Sequence, residues 1–118
     1  MKKLGILANC DKPTAPEILR RIERKTSALG LKLLVCGQAG RYVPSAETVA
    51  EEAIGGSVDA LMVLGGDGTM LRAVRVLQGA PTPIIGVNLG SLGFLASVSQ
   101  DNVESALECM VEGRCSIQ

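Results

Sequence analysis

Five consecutive residues, Gly65-Gly66-Asp67-Gly68-Thr69, set one carboxylate among three glycines, with a hydroxyl two positions on. Successive glycines let backbone N–H groups converge into a concave nest that binds anionic oxygens. Lacking Cβ atoms, they also let a phosphate come close to the chain. A helix starting at the same place adds partial positive charge from its unpaired N–H groups. The expected ligand is the phosphate chain of a nucleotide. A bare carboxylate in that nest would repel it, and two arrangements remove the conflict. Asp67 binds Mg2+ or another divalent cation that bridges to phosphate, or it accepts a proton from an attacking hydroxyl. Either role points to phosphoryl transfer. Thr69 can cap the helix and donate to phosphate, and Arg72, one turn on, can bring positive charge to the same place. A plain turn with Asp67 as N-cap is the competing reading. The three glycines, with an apolar strand before and a helix after, weigh against it. The motif lacks the Gly-Lys-Ser/Thr ending of a P-loop, and it is no Gly-x-Gly-x-x-Gly dinucleotide fingerprint.

A second glycine-punctuated stretch follows at residues 88–95, Asn88-Leu89-Gly90-Ser91-Leu92-Gly93-Phe94-Leu95. Asn88 can hydrogen-bond a ribose or a base, and Phe94 can flank a flat ring. Equally, the stretch can be a well-packed loop with Phe94 in the core.

The elements that must position these residues alternate. Apolar runs at about 3–8, 31–36, 58–64 and 84–87 predict buried strands. Between them lie helical patterns. The first runs to about residue 29, with Thr14 as N-cap, Pro16 in its first turn, Glu17 at the capping-box position and Gly30 as its stop. The others cover about 46–54, 69–78 and 102–112. The third takes its apolar stripe from Met70, Leu71, Val74 and Leu77. Residues 37–45 and 88–97 read as loops, and 114–118 as the start of a strand. The fold class is therefore α/β, an open, mostly parallel sheet with helices on both faces. In such sheets ligands bind beyond the carboxyl ends of the strands. Both glycine-rich stretches lie there, which argues for a shared site.

Composition narrows the function. The 118 residues suit one domain, and 47% apolar content with 2% aromatics means an aliphatic core. Twelve basic residues balance twelve acidic ones, and the aromatics are Tyr42 and Phe94, so neither a charge footprint nor a stacking platform for nucleic acid exists. The absence of histidine excludes a Ser-His-Asp triad within this chain and any His metal site. Cys10, Cys36, Cys109 and Cys115 form no Cys-x-x-Cys pair and read as thiols in a reducing compartment. With no signal peptide and no run long enough to span a membrane, a soluble cytoplasmic protein is expected.

Together the two glycine-rich stretches resemble the NAD kinases, which phosphorylate NAD at the adenosine 2′-hydroxyl with ATP or polyphosphate. Gly65 to Thr69 followed by Leu71 is similar to that family's signature, which diacylglycerol and sphingosine kinases share and which is distantly related to that of phosphofructokinases. Asn88-x-Gly90-x-Leu92-Gly93-Phe94-Leu95 is far more specific to NAD kinases. Asn9-x-x-Lys12-Pro13-x-Ala15 is similar to the family's first loop, so the resemblance covers essentially the whole chain.

The resemblance implies a Rossmann-like, phosphofructokinase-like N-terminal nucleotide-binding domain over residues 1–118. It implies that Asp67 takes the proton from the NAD 2′-hydroxyl and that Gly68 contacts NAD beside it. Arg72 stands where the family often has a basic residue for nucleotide phosphates. Leu71 and Phe94 would line the adenine side, with Asn88, Gly90 and Gly93 shaping the wall beneath. A divalent cation would accompany the donor, and the full-length protein would be a homo-oligomer. The family's second, β-rich domain carries an Asn-Glu pair that holds the ribose, and no Asn-Glu pair occurs here. These residues alone are therefore expected to have little or no kinase activity. A lipid or sphingoid kinase sharing only the first motif, and a non-catalytic nucleotide-binding domain, are the alternatives.

Overall fold

The structure, a computed structural model, describes residues 2–77, 79, 82–89, 98, 99 and 102–112. Along the chain come β1 (Lys3–Ala8), α1 (Ala15–Leu29), β2 (Lys32–Val35), a 3-10 turn (Gly37–Arg41) and β3 (Glu47–Thr48). Then follow α2 (Glu51–Ile54), β4 (Ala60–Gly65), α3 (Asp67–Leu77), β5 (Ile84–Asn88), β6 (Val98–Ser99) and α4 (Val103–Glu112). The strands form one sheet in the order β3-β2-β1-β4-β5-β6, with every pairing parallel.

The continuous apolar runs explain the centre of this sheet. Every residue of β4 is buried, and its side chains serve two cores in alternation. Met62 and Leu64 join Leu4, Ile6, Ile18, Ile22 and Leu107 on one face, while Leu61 and Val63 join Leu7, Ile54, Ala73 and Leu77 on the other. Helices α1 and α4 thus cover one face and α2 and α3 the other, so helices lie on both faces as the sequence predicted. Each fully buried Leu or Ile contributes about 1.5–3 kcal/mol.

Several local expectations are corrected. Helix α1 ends on Gly30 at φ 75 as predicted. The Thr14 hydroxyl, however, makes no cap bond and is buried without a partner among the described atoms. Thr14 already has helical backbone angles, φ −86 and ψ −10, rather than the extended ones an N-cap side chain needs. The predicted helix over 46–54 shrinks to Glu51–Ile54, because Glu47–Thr48 pairs with the free edge of β2. Val49 N–H donates to Val35 O at 2.8 Å and extends that pairing. The expected loop after Cys36 begins with the 3-10 turn, and β6, not anticipated, pairs with β5. On α3, Leu71 and Val74 are 60% and 56% exposed. Of the expected stripe, Leu77 and Met70 pack on the sheet, joined by Ala73 and Val76. The strand expected over 114–118 lies outside the described residues.

Helices α1 and α4 are laced by ion pairs one turn apart on each helix, Arg21 with Glu104 and Lys25 with Glu108. Arg21 Nε donates to Glu104 Oε2 at 2.8 Å, and this bond holds the Glu104 carboxyl below its ordinary range. A depressed folded-state value means the stabilisation is present above the unfolded value, about 4.3, and is lost as pH falls through the folded one. Glu104→Gln should therefore cost about 0.5 kcal/mol at neutral pH in chemical denaturation, and nothing in acid where Glu104 is protonated in both states. A cost independent of pH would contradict this.

Candidate functional site

Strand β4 carries the chain to the carboxyl edge of the sheet and ends at Gly65. Met70 N–H donates to Gly66 O at 3.1 Å, so Gly66 is the residue before the helix and Asp67 its first position. Gly66 has no side chain with which to cap. The first N–H groups of an α-helix have no partner within the helix, and at the start of α3 they face the carboxyl edge of the sheet. Gly65 is required by a close approach: a Cβ there would stand 2.4 Å from Thr69 Oγ1 and 2.8 Å from Thr69 Cβ. Thr69 folds back over the end of β4. At Gly66 and Gly68 a Cβ would meet nothing within 4 Å among the described residues, so these glycines answer to no packing there.

Neighbouring strands converge on this turn. Asn9 N–H donates to Leu64 O at 2.8 Å, tying the exit of β1 to the end of β4. Asn88 is in register with Gly65, and Leu89 N–H donates to Gly65 O at 3.3 Å. The second glycine-rich stretch thus begins beside the first. Gly90, Gly93 and Phe94 lie outside the described residues.

Between β1 and β4, where the strand order reverses direction, opens a cleft of about 590 Å³. Its walls are Asn9, Cys10 and Asp11 after β1, Cys36, Gly37 and Gln38 at the end of β2, and Gly68, Thr69 and Arg72 on α3. Asp11 N–H donates to Asn9 Oδ1 at 3.1 Å, which shapes the loop after β1. The sequence had marked Asn9, Gly68, Thr69 and Arg72 but not Cys36, Gly37 or Gln38. The signal available for those three was their place just beyond an apolar strand, where such sheets bind ligands. Leu71, expected near an adenine, stands exposed on α3.

Arg72 reaches the cleft with a partner. Its Nε donates to Glu51 Oε1 at 2.8 Å and its Nη2 to Glu51 Oε2. The bond from Arg72 lowers the Glu51 carboxyl below its ordinary range, and the guanidinium is raised in turn. Nothing in the local sequence announced Glu51, which lies 21 positions from Arg72. Burial, with Glu51 second and Arg72 opposing, pushes the Cys36 thiol up to about 11. Burial and then Asp11 raise Cys10 as well. Both shifts favour the protonated thiol. The chemistry on offer is therefore anion binding by backbone amides and one guanidinium, beside the carboxylate residue Asp67 at the head of α3.

A parallel sheet in this order, with a glycine-walled cleft at its reversal point, defines a doubly wound α/β domain of the kind that carries nucleotide sites. The chain belongs to the family of ATP-NAD kinase N-terminal domains, which it matches over residues 4–115. It is 36% identical over 118 residues to an NAD kinase of Syntrophotalea carbinolica, covering 99% of this chain and 41% of that protein. It is 31% identical to an NAD kinase of Methanothermobacter thermautotrophicus, covering 100% of this chain and 42% of that protein. The chain thus spans about two fifths of the length of these relatives. A crystal structure of yeast NADH kinase complexed with NADH shares the fold, with a TM-score of 0.84 at 20% identity over 97% of this chain and 39% of that one.

The two kinds of glycine should respond oppositely to alanine. Gly65→Ala drives a methyl into Thr69 and should cost about 1–3 kcal/mol in thermal or denaturant unfolding. Gly68→Ala, inside the first turn of α3 with open space around it, should be neutral or stabilise by up to about 0.5–1 kcal/mol. Equal losses at both positions would contradict the geometry.

Proposed function

We propose that this domain serves the phosphorylation of NAD at its adenosine 2′-hydroxyl to give NADP, with the cleft between β1 and β4 taking the phosphate chain of ATP or polyphosphate. One observation carries the reading: Gly68, Thr69 and Arg72 of α3 line a single cleft with the loops that follow β1 and β2. Membership of the family and relatives named NAD kinase support it. The amides at the start of α3 and at Gly37 would hold donor phosphates, and Arg72 would add charge. Asn88, beside Gly65, together with Gly90, Gly93, Phe94 and Leu71, would meet the NAD. The 2′-oxygen attacks the terminal phosphorus, and its proton passes to the Asp67 carboxylate. The bond to the leaving phosphate breaks, and the nucleoside diphosphate or shortened polyphosphate departs with the electron pair.

Among the described residues no three His, Cys, Asp or Glu side chains gather to hold a metal ion. A divalent cation would come in on the donor's own phosphate oxygens. On the same reading the whole protein is a cytoplasmic homo-oligomer whose second domain completes the NAD site. No helix among the described residues is long and apolar enough to cross a membrane.

A protein carrying that second domain should form NADP from NAD only when ATP or polyphosphate is supplied, and the 118 residues alone should form little or none. Asp67→Asn in the longer protein should lower kcat by about 10²–10⁴-fold with no change in thermal midpoint. Undiminished kcat would remove Asp67 as proton acceptor. Lipid phosphorylation without NADP formation would favour a lipid kinase, and nucleotide binding without transfer a non-catalytic domain.

A further inference from the structure

We propose that Glu51 is a positioning residue: it grips the Arg72 guanidinium along one edge and leaves the other edge presented to the anion bound in the cleft. The inference rests on the phosphate site proposed above. Arg72 stands where two hollows meet, the cleft between β1 and β4 and a second of about 540 Å³ on the Glu51 side, which share Gly68 and Arg72. Its side chain is 53% exposed, so without a partner it would sample many rotamers. Glu51 takes one N–H on Nε and one on Nη2. A guanidinium has five N–H groups in a rigid plane, and this side-on pairing leaves three, two of them parallel along the Nη1–Nη2 edge. Two parallel donors suit two oxygens of one phosphate.

Glu51 itself is well held. It begins α2, whose Ile54 packs with Ala73 and Leu77 of α3. Gly55 comes so near α3 that a Cβ there would stand 3.0 Å from Leu77 Cδ2, and Thr82 Oγ1 donates to Gly55 O at 2.9 Å. The backbone that carries Glu51 is thus packed against the helix that carries Arg72.

Simple charge and positioning predict opposite signs. A carboxylate beside an anion site opposes the anion, so by Coulomb attraction alone its neutralisation should tighten binding. If Glu51 acts by orienting Arg72, its loss should weaken binding. The experiment titrates inorganic tripolyphosphate into the chain by calorimetry, for the parent, Glu51→Gln, Arg72→Ala and the double variant. The expected result is a Kd about three- to tenfold weaker for Glu51→Gln, the cost of ordering one long side chain at binding. Arg72→Ala should weaken Kd at least as much, and adding Glu51→Gln to it should weaken Kd no further. If Glu51→Gln tightens Kd, leaves it unchanged, or weakens it equally with and without Arg72, the positioning role is overturned while the phosphate site stands. If Arg72→Ala leaves Kd unchanged, the place of Arg72 in the phosphate site falls, and this inference with it.

Discussion

The first turn of α3 lies directly on the end of β4, and that contact governs the rest. Thr69 sits where a side chain at residue 65 would be, so the strand must end in glycine for the helix to start where it does. Moving α3 outward to admit a methyl would lift its first amides and Arg72 away from the loops after β1 and β2. The same glycine accepts from Leu89 and pairs with Asn88, so three strand exits are registered on one residue or its neighbour. The helix start and the cleft wall depend on this one close approach.

The sheet gives the contact its rigidity. A parallel strand buried on both faces, as β4 is, cannot shift without disturbing two cores. Its carboxyl end is then a fixed platform, and the ligand-facing groups are mostly backbone. This suits a chain of zero net charge and no histidine. Binding strength would come from oriented N–H groups and one held guanidinium rather than from a basic surface. The Glu51–Arg72 pair fits the same economy, since it sets direction without adding net charge.

The legible parts of the fold were those with a strong local cause. Strands β1 and β4 announced themselves as unbroken apolar runs, Gly30 as a left-handed stop, and residues 65–69 as a turn from strand into helix. The illegible parts depend on distant partners. Strand β3 is two exposed polar residues that are extended only because β2 offers a free edge. On α3 the expected stripe holds at Met70 and Leu77 and fails at Leu71 and Val74, whose place Ala73 takes, because periodicity cannot weigh a small alanine against a large exposed leucine. Glu51 had no sequence signal at all, since a bidentate pair between separate helices leaves no mark on local spacing.

The central claim, that the carboxyl edge between β1 and β4 binds phosphate through backbone amides, is most directly tested by amide resonance shifts. The isotope-labelled chain would be titrated with ATP while the backbone N–H signals are followed. The account predicts the largest shifts at Gly66, Gly68, Thr69, Gly37 and Gln38, with the facing pair of helices α1 and α4 undisturbed. Shifts concentrated on α1 and α4, or none at residues 66–69, would contradict it.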